Sequence, residues 1–361
     1  MSAILKNFGI YYFMNRRTNK AETKYDDLIG IENIFQAWNE FKVGKRKKKD
    51  VQSCEQNLED NLFALYEELR KKTYKHGDYE EFYVHDPKRR HIHKASVQDR
   101  VLHHLLYKYL YPLFDMNFIF DSYSCRLDKG THKGIKRLEQ FTRKISKNYT
   151  KNSFALKLDI KQFFASIDHE ILLKLLDRRV KDRDILWLLS EVIGSFYSEQ
   201  GEGKGIPLGN LTSQIFANVY MNELDQFIKH KLKIKYYLRY ADDFLLLSNS
   251  KEELKNLLLP IKEFIEKELK LELHPCKIIL RRLGWGIDFL GYIVLPYYIL
   301  PRTKTKKRIF KKLRLKVGKL QAGAITEASF NQTLASYLGF LKHASSYKLT
   351  KKLKNNIKYL L

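Results

Sequence analysis

The sequence predicts an α+β fold in which a small sheet, built in split β-α-β order, is carried between helical regions. Three observations predict it. Apolar residues recur at helical spacing on both sides of the middle of the chain, and short apolar runs in the middle read as strands. The middle elements then follow the order strand, helix, strand, strand, helix, strand, which is that of a ferredoxin-like unit. The 361 residues suffice for a large core and two or three structural units, and 44% hydrophobic content marks a folded chain.

Each element has its own justification. Residues 1–55 end in the charge run Gly44-Lys45-Arg46-Lys47-Lys48-Lys49 and read as a basic extension, either RNA-binding or simply solvated. Leu58, Leu62, Leu65 and Leu69 share one helical face, and Val101, Leu105, Leu106, Tyr109 and Leu110 mark a second helix over 97–113. Phe154-Ala155-Leu156-Lys157-Leu158-Asp159 reads as a short buried strand that ends in a carboxylate. Helical patterns cover 169–197 and 211–231. Residues 236–240 and 244–248 read as strands joined across Ala241-Asp242-Asp243, followed by a charged amphipathic helix over 251–270. Residues 276–282 and 288–294 read as two more strands. Beyond Pro301 the chain is helical and basic over 304–319, and a last helix covers 326–344.

Charge narrows the partners. Sixty-seven Lys and Arg against 41 Asp and Glu leave a formal +26, which favours a polyanion, either nucleic acid or an acidic membrane surface. Three widely spaced cysteines supply neither a disulfide framework nor a CxxC knuckle. No stretch approaches the roughly 18 apolar residues of a membrane span. No cleavage site follows the first apolar run, so a cytoplasmic protein without a membrane partner is expected. His91, His93, His103 and His104 lack a further Cys or His to complete a zinc site, and are expected on helix surfaces or facing RNA.

Chemistry concentrates in the acidic residues. Asp159 ends an apolar strand, and Asp242 and Asp243 sit in a tight hairpin connection. Taken alone, an Asp-Asp pair in a hairpin is a turn and an Asp at a strand end is a cap. Together on one ferredoxin-like unit, the three suit a pair of Mg²⁺ ions, which take carboxylate and phosphate oxygens and serve phosphoryl transfer.

These residues carry a family resemblance. Tyr240-Ala241-Asp242-Asp243 resembles the YxDD box of reverse transcriptases, and Leu156-Lys157-Leu158-Asp159-Ile160-Lys161-Gln162-Phe163-Phe164 resembles their first catalytic block. Between them lies Gly205-Ile206-Pro207-Leu208-Gly209-Asn210-Leu211-Thr212-Ser213-Gln214, in the family's order. The resemblance implies a right-hand polymerase fold with fingers, a ferredoxin-like palm and a short helical thumb. It places fingers at 56–153 with part of 185–215, palm at 154–299 and thumb at 300–361. It implies an RNA-directed DNA polymerase that works with dNTPs, a structured template RNA, an RNA–DNA hybrid and two Mg²⁺ ions, with Mn²⁺ as a substitute.

The resemblance also implies roles. Asp159, Asp242 and Asp243 would be catalytic and, with Ile160, metal ligands; Lys277 would protonate the leaving pyrophosphate, unless it is a surface lysine. Arg90, Arg126, Phe163, Phe164, Gly209 and Gln214 would hold the dNTP, with Phe164 as a steric gate against a 2′-hydroxyl. Lys88, Arg89 and Arg90 read equally well as a solvated basic loop. Tyr240, Phe289, Leu290 and Gly291 would contact primer and template. The Gly209–Gln214 form is similar to that of diversity-generating retroelements, which copy RNA with errors at adenines and use a small basic accessory protein. An antiphage-defence enzyme copying a noncoding RNA is the alternative, and a non-catalytic RNA-binding scaffold the one from another class.

Overall fold

The computed structural model describes residues 23–86 and 88–360. The chain before residue 23 and Pro87 of the basic hairpin lie outside them. The described chain opens with helices α1 (Tyr25–Ile29), α2 (Ile31–Phe41), α3 (Lys49–Gln56) and α4 (Leu58–Arg70). A two-stranded hairpin follows, β1 (Glu80–Val84) with β2 (Arg90–Lys94), then α5 (Val97–Asp115) and α6 (Thr131–Ile145). Residues 25–55, read from sequence as part of a basic extension, instead contribute to the main core. Ile34, Ala37 and Trp38 are fully buried and Phe41 nearly so. The Ile34/Trp38/Phe41 spacing is helical and carried that signal, but the adjacent lysine run masked it.

The central sheet contains β3 (Phe154–Asp159), β4 (Tyr237–Tyr240), β5 (Asp243–Ser248) and β6 (Ile279–Arg282) in the order β4-β5-β3-β6. All its pairings are antiparallel, which is the ferredoxin-like arrangement the element order predicts. Between β3 and β4 run α7 (Phe163–Ser166), α8 (His169–Asp177), α9 (Arg183–Gly194) and α10 (Leu211–Gln226), the last running into a wide turn over Phe227–Lys231. Helices α11 (Lys251–Asn256) and α12 (Leu258–Lys267) join β5 to β6.

The strand expected over 288–294 is a correction. It is two strands, β7 (Ile287–Phe289) and β8 (Tyr292–Leu295), which with β9 (Tyr298–Pro301) form a separate sheet. The break falls at Leu290 and Gly291, at φ 49° and 89°, a left-handed pair that extended backbone cannot contain. Three helices close the chain: α13 (Thr303–Gln321), α14 (Glu327–Lys342) and α15 (Tyr347–Leu360).

Strand alternation explains why the sheet is covered on both sides. Leu156, Leu158, Phe244 and Leu246 enter the large core with α4, α5, α8, α9 and α10. Their alternates Ala155, Leu245 and Leu247 enter a second core with α6 and the small sheet, through Ile135, Leu138, Phe289 and Tyr292. A third core, with Ile309, Leu313, Phe330 and Leu341, belongs to the last three helices alone.

Candidate active site

The site forms where β3 and β5 end side by side. Asp159 lies directly opposite Asp243 in the sheet register, and Asp243 closes the β4–β5 hairpin opposite Tyr240. Residues 155, 157 and 159 share a face with 243, 245 and 247, so both aspartates project toward the second core's side of the sheet. Asp242 occupies the two-residue turn, in which Ala241 takes φ 54°. A left-handed alanine costs roughly 1–2 kcal/mol, and such strain persists only where neighbours impose it. Here Arg239 Nη1 donates to the Ala241 carbonyl at 3.0 Å, and the Ile160 amide donates to the Asp242 carbonyl at 3.3 Å.

The electrostatics are those of an acid cluster held by lysines. Asp243 is pushed up to about 6 by burial, which Lys157 opposes and Asp159 and Asp242 reinforce. Asp242 is raised by burial and by Asp159, while Lys277 and Lys88 pull it down. Lys157 Nζ lies 3.0 Å from Asp243 Oδ2, and Lys277 Nζ donates to Asp159 Oδ1 at 2.5 Å. Asp243 Oδ1 is buried with no hydrogen-bond partner. An acceptor-only oxygen buried among like charges suits a divalent cation. Two of the three carboxylates are thus already paired, Asp243 with Lys157 and Asp159 with Lys277. A cation held between them would displace both ammonium groups.

Beneath the turn lies a buried ion pair that the sequence reading missed. Arg239 and Asp225 are both fully buried and 2.6 Å apart. Tyr237 OH donates to Asp225 at 2.6 Å, and Arg239 Nη2 donates to Ser122 Oγ at 3.2 Å. Charges this deep must be paired, and the pair fixes the strand that carries Tyr240. A cation inside a strand reading Tyr-Leu-Arg-Tyr was the available signal, as was Lys157 inside Phe-Ala-Leu-Lys-Leu-Asp.

The other expected residues divide. Phe163 is buried, while Phe164 is half-exposed and meets it edge-on at 5.3 Å. Gly209 is exposed at φ 122°, and a Cβ there would lie 3.0 Å from Ile92. The neighbouring Leu208 carbonyl accepts from the His93 amide at 3.0 Å, so this block packs on the basic hairpin. Gln214 is half-exposed on α10, whereas Asn210 Oδ1 and Ser213 Oγ are buried without partners. Arg90, Lys88 and Arg89 are exposed on the hairpin, with Arg89 stacked on Tyr83. Tyr240 receives a hydrogen bond from Thr131 at 3.4 Å. Phe289 is buried, and Gly291 accepts from the Arg302 amide at 2.9 Å.

Arg126 differs from its expected role. It is buried, and its guanidinium donates to Asp115 Oδ1 (2.6 Å) and to the Ile119 and Ser122 carbonyls. Those contacts brace a loop and leave little for a triphosphate. Two of the histidines differ from expectation: His103 and His104 are buried in α5, whereas His91 and His93 lie on β2 of the hairpin.

With this geometry in view, residues 72–294 match the family model described as reverse transcriptase (RNA-dependent DNA polymerase). The chain belongs to the reverse transcriptase family. It has that family's right-hand fold. This reverse transcriptase domain is 23% identical over 234 residues to protein YkfC of Escherichia coli, covering 55% of the chain and 61% of YkfC. It is 22% identical to the group II intron-encoded protein LtrA of Lactococcus lactis, over 65% of the chain and 49% of LtrA. It is 26% identical to the retron Ec73 reverse transcriptase of E. coli, over 58% of the chain and 69% of that protein. The chain thus spans only part of the relatives it matches. A telomerase structure from Candida tropicalis aligns with TM-score 0.47 at 13% identity, over 62% of this chain and 55% of that one. Among the described residues no helix is long and apolar enough to cross a membrane.

Proposed function

We propose that the protein is an RNA-directed DNA polymerase that extends a primer along a structured template RNA. The observation that carries this reading is the juxtaposition of Asp159 and Asp243 across the sheet with Asp242 in the adjoining turn. Asp159, Asp242 and Asp243, with Ile160, would hold two Mg²⁺ ions, for which Mn²⁺ would substitute. When bound, these ions supply activation of the primer 3′-hydroxyl and neutralise charge on the leaving pyrophosphate. Lys277, which contacts Asp159, would give a proton to that pyrophosphate. Lys88 and Arg90 on the exposed hairpin bind the triphosphate, and Phe164 sits beneath the sugar. The Phe289-Leu290-Gly291 turn and Tyr240 position the primer end. The basic face of α13 follows the hybrid's phosphates.

Primer extension on an RNA template tests the assignment. Asp242→Asn should reduce incorporation by about a thousandfold or more, since a carboxylate aimed at developing charge is worth several kcal/mol. Equal incorporation by both proteins refutes it.

The finer reading is a mutagenic, diversity-generating enzyme aided by a small basic accessory protein. It rests on Gly209-Asn210-Leu211-Thr212-Ser213-Gln214 and on Leu208, an apolar side chain where many reverse transcriptases have glutamine. Sequencing cDNA made from a defined RNA should show an excess of errors at adenines, and uniform errors across the four bases would remove this branch from consideration.

A further inference from the structure

Outside the palm, the exposed β1–β2 hairpin carries a second set of converging donors. Glu81, His91 and His93 each offer a ligand atom, and these atoms all lie within 4.8 Å of one another. The arrangement follows from strand geometry. His91 and His93 stand two apart on β2 and so share a face, and Glu81 sits opposite His93 in the register. Glu81 Oε2 lies 3.0 Å from His91 Nε2, and Glu81 Oε1 lies 3.6 Å from His93 Nε2. Donors bound tetrahedrally to zinc at about 2.0–2.1 Å sit roughly 3.4 Å from each other, so the spacing suits one ion without backbone movement.

The rings are also held in place. Tyr83 stacks on His91 at 4.5 Å, and Phe196 packs edge-on against His93 at 4.6 Å.

We propose that Glu81, His91 and His93 form a binding site for a divalent transition ion of the zinc class, with water completing the coordination. Two imidazoles and one carboxylate with an open position make a mixed nitrogen–oxygen set, which favours zinc-like ions over Mg²⁺. The site is therefore chemically separate from the all-oxygen set of the palm. Its consequence is mechanical. Strand β1 is exposed along its whole length and pairs with β2, which in turn packs on the Gly205–Gln214 block. An ion bridging Glu81 to His91 and His93 ties the two strands together just behind Lys88, Arg89 and Arg90.

The test is titration of Co²⁺, a spectroscopic stand-in for Zn²⁺, into the untagged full-length protein in excess Mg²⁺. One Co²⁺ per chain should bind in the micromolar range with tetrahedral absorption bands, and Zn²⁺ should displace it. Glu81→Gln and His91→Gln, at accessible positions, should each weaken binding at least about tenfold while the metal-free melting midpoint stays unchanged. Asp159→Asn should bind Co²⁺ as the unaltered protein does. Amide exchange over residues 80–94 should slow when the ion is present. Absence of stoichiometric binding, unchanged affinity in Glu81→Gln and His91→Gln, or loss of binding in Asp159→Asn would each overturn the site.

Discussion

At the scale of single residues, position along a strand decides chemistry. Asp159 and Asp243 share a sheet face with Lys157, so the same alternation that sets them opposite each other also supplies a counter-charge. Burial lifts Asp243 to about 6, so this carboxylate is costly to ionise until a cation arrives. Phe164 gives a prediction at this scale. It is half-exposed beside the buried Phe163, and an aromatic ring under the sugar leaves no room for a 2′-hydroxyl. Phe164→Ala should raise ribonucleotide incorporation relative to dNTPs by at least about tenfold, in line with the 1–3 kcal/mol a pocket contact contributes to discrimination. Single-nucleotide extension with rNTP and dNTP measures the ratio, and an unchanged ratio removes the gate.

At the scale of elements, β4 and β5 are positioned from beneath. Arg239 sits on the large-core side of β4 and meets Asp225 of α10, with Tyr237 and Ser122 completing the contacts. This pair couples the turn bearing Asp242 to the helix that begins at the Gly205–Gln214 block. Asp225→Ala leaves an unpaired buried guanidinium and should cost about 3–5 kcal/mol. Urea unfolding would show it as a lowered midpoint at unchanged slope, whereas a loss below about 1 kcal/mol would mean that the pair is not buried as described. Gly205 marks another tight junction. A Cβ there would come within 2.7 Å of Ser198, and its φ of 99° suits glycine alone.

At the scale of the whole molecule, burial links stability to pH. His103 and His104 are both pushed down to about 3, chiefly by burial in α5. Their folded values lie below the ordinary 6.5, so the unfolded chain binds more protons between these limits. Stability from these groups is therefore complete above pH 6.5 and falls as pH drops toward 3. Acidification from about pH 7 to about pH 5 should cost about 2 kcal/mol per imidazole. Chemical unfolding at both pH values measures the total. Replacing His103 by Gln, which retains a partner for Thr212 at the 2.6 Å contact, should flatten the dependence. An equally steep dependence in His103→Gln would place the titrating groups elsewhere.

Much of this was legible in the sequence because period carries it. The short apolar runs at 154–159 and 244–248 and the strand-helix order predict the central sheet, and an acid at the end of an apolar strand points to the carboxylate pair. Composition obscured other parts. The lysine run after Phe41 drew the first helices into a solvated extension, although Trp38 is fully buried. Arg126 matched a phosphate-binding position by motif, yet its partners come from residues 115, 119 and 122.

By itself, then, the sequence determined the α+β class, the order of the elements that build the central sheet and the placing of three aspartates at its strand ends. These depend on local periodicity and on residue type, which every chain displays openly. Tertiary structure alone decided which charges pair: Lys157 with Asp243, Lys277 with Asp159, Arg239 with Asp225, and Glu81 with His91 and His93. Pairing depends on register and on which face of a strand meets which helix. Those are distances between residues far apart in the chain, and no spacing along it encodes them.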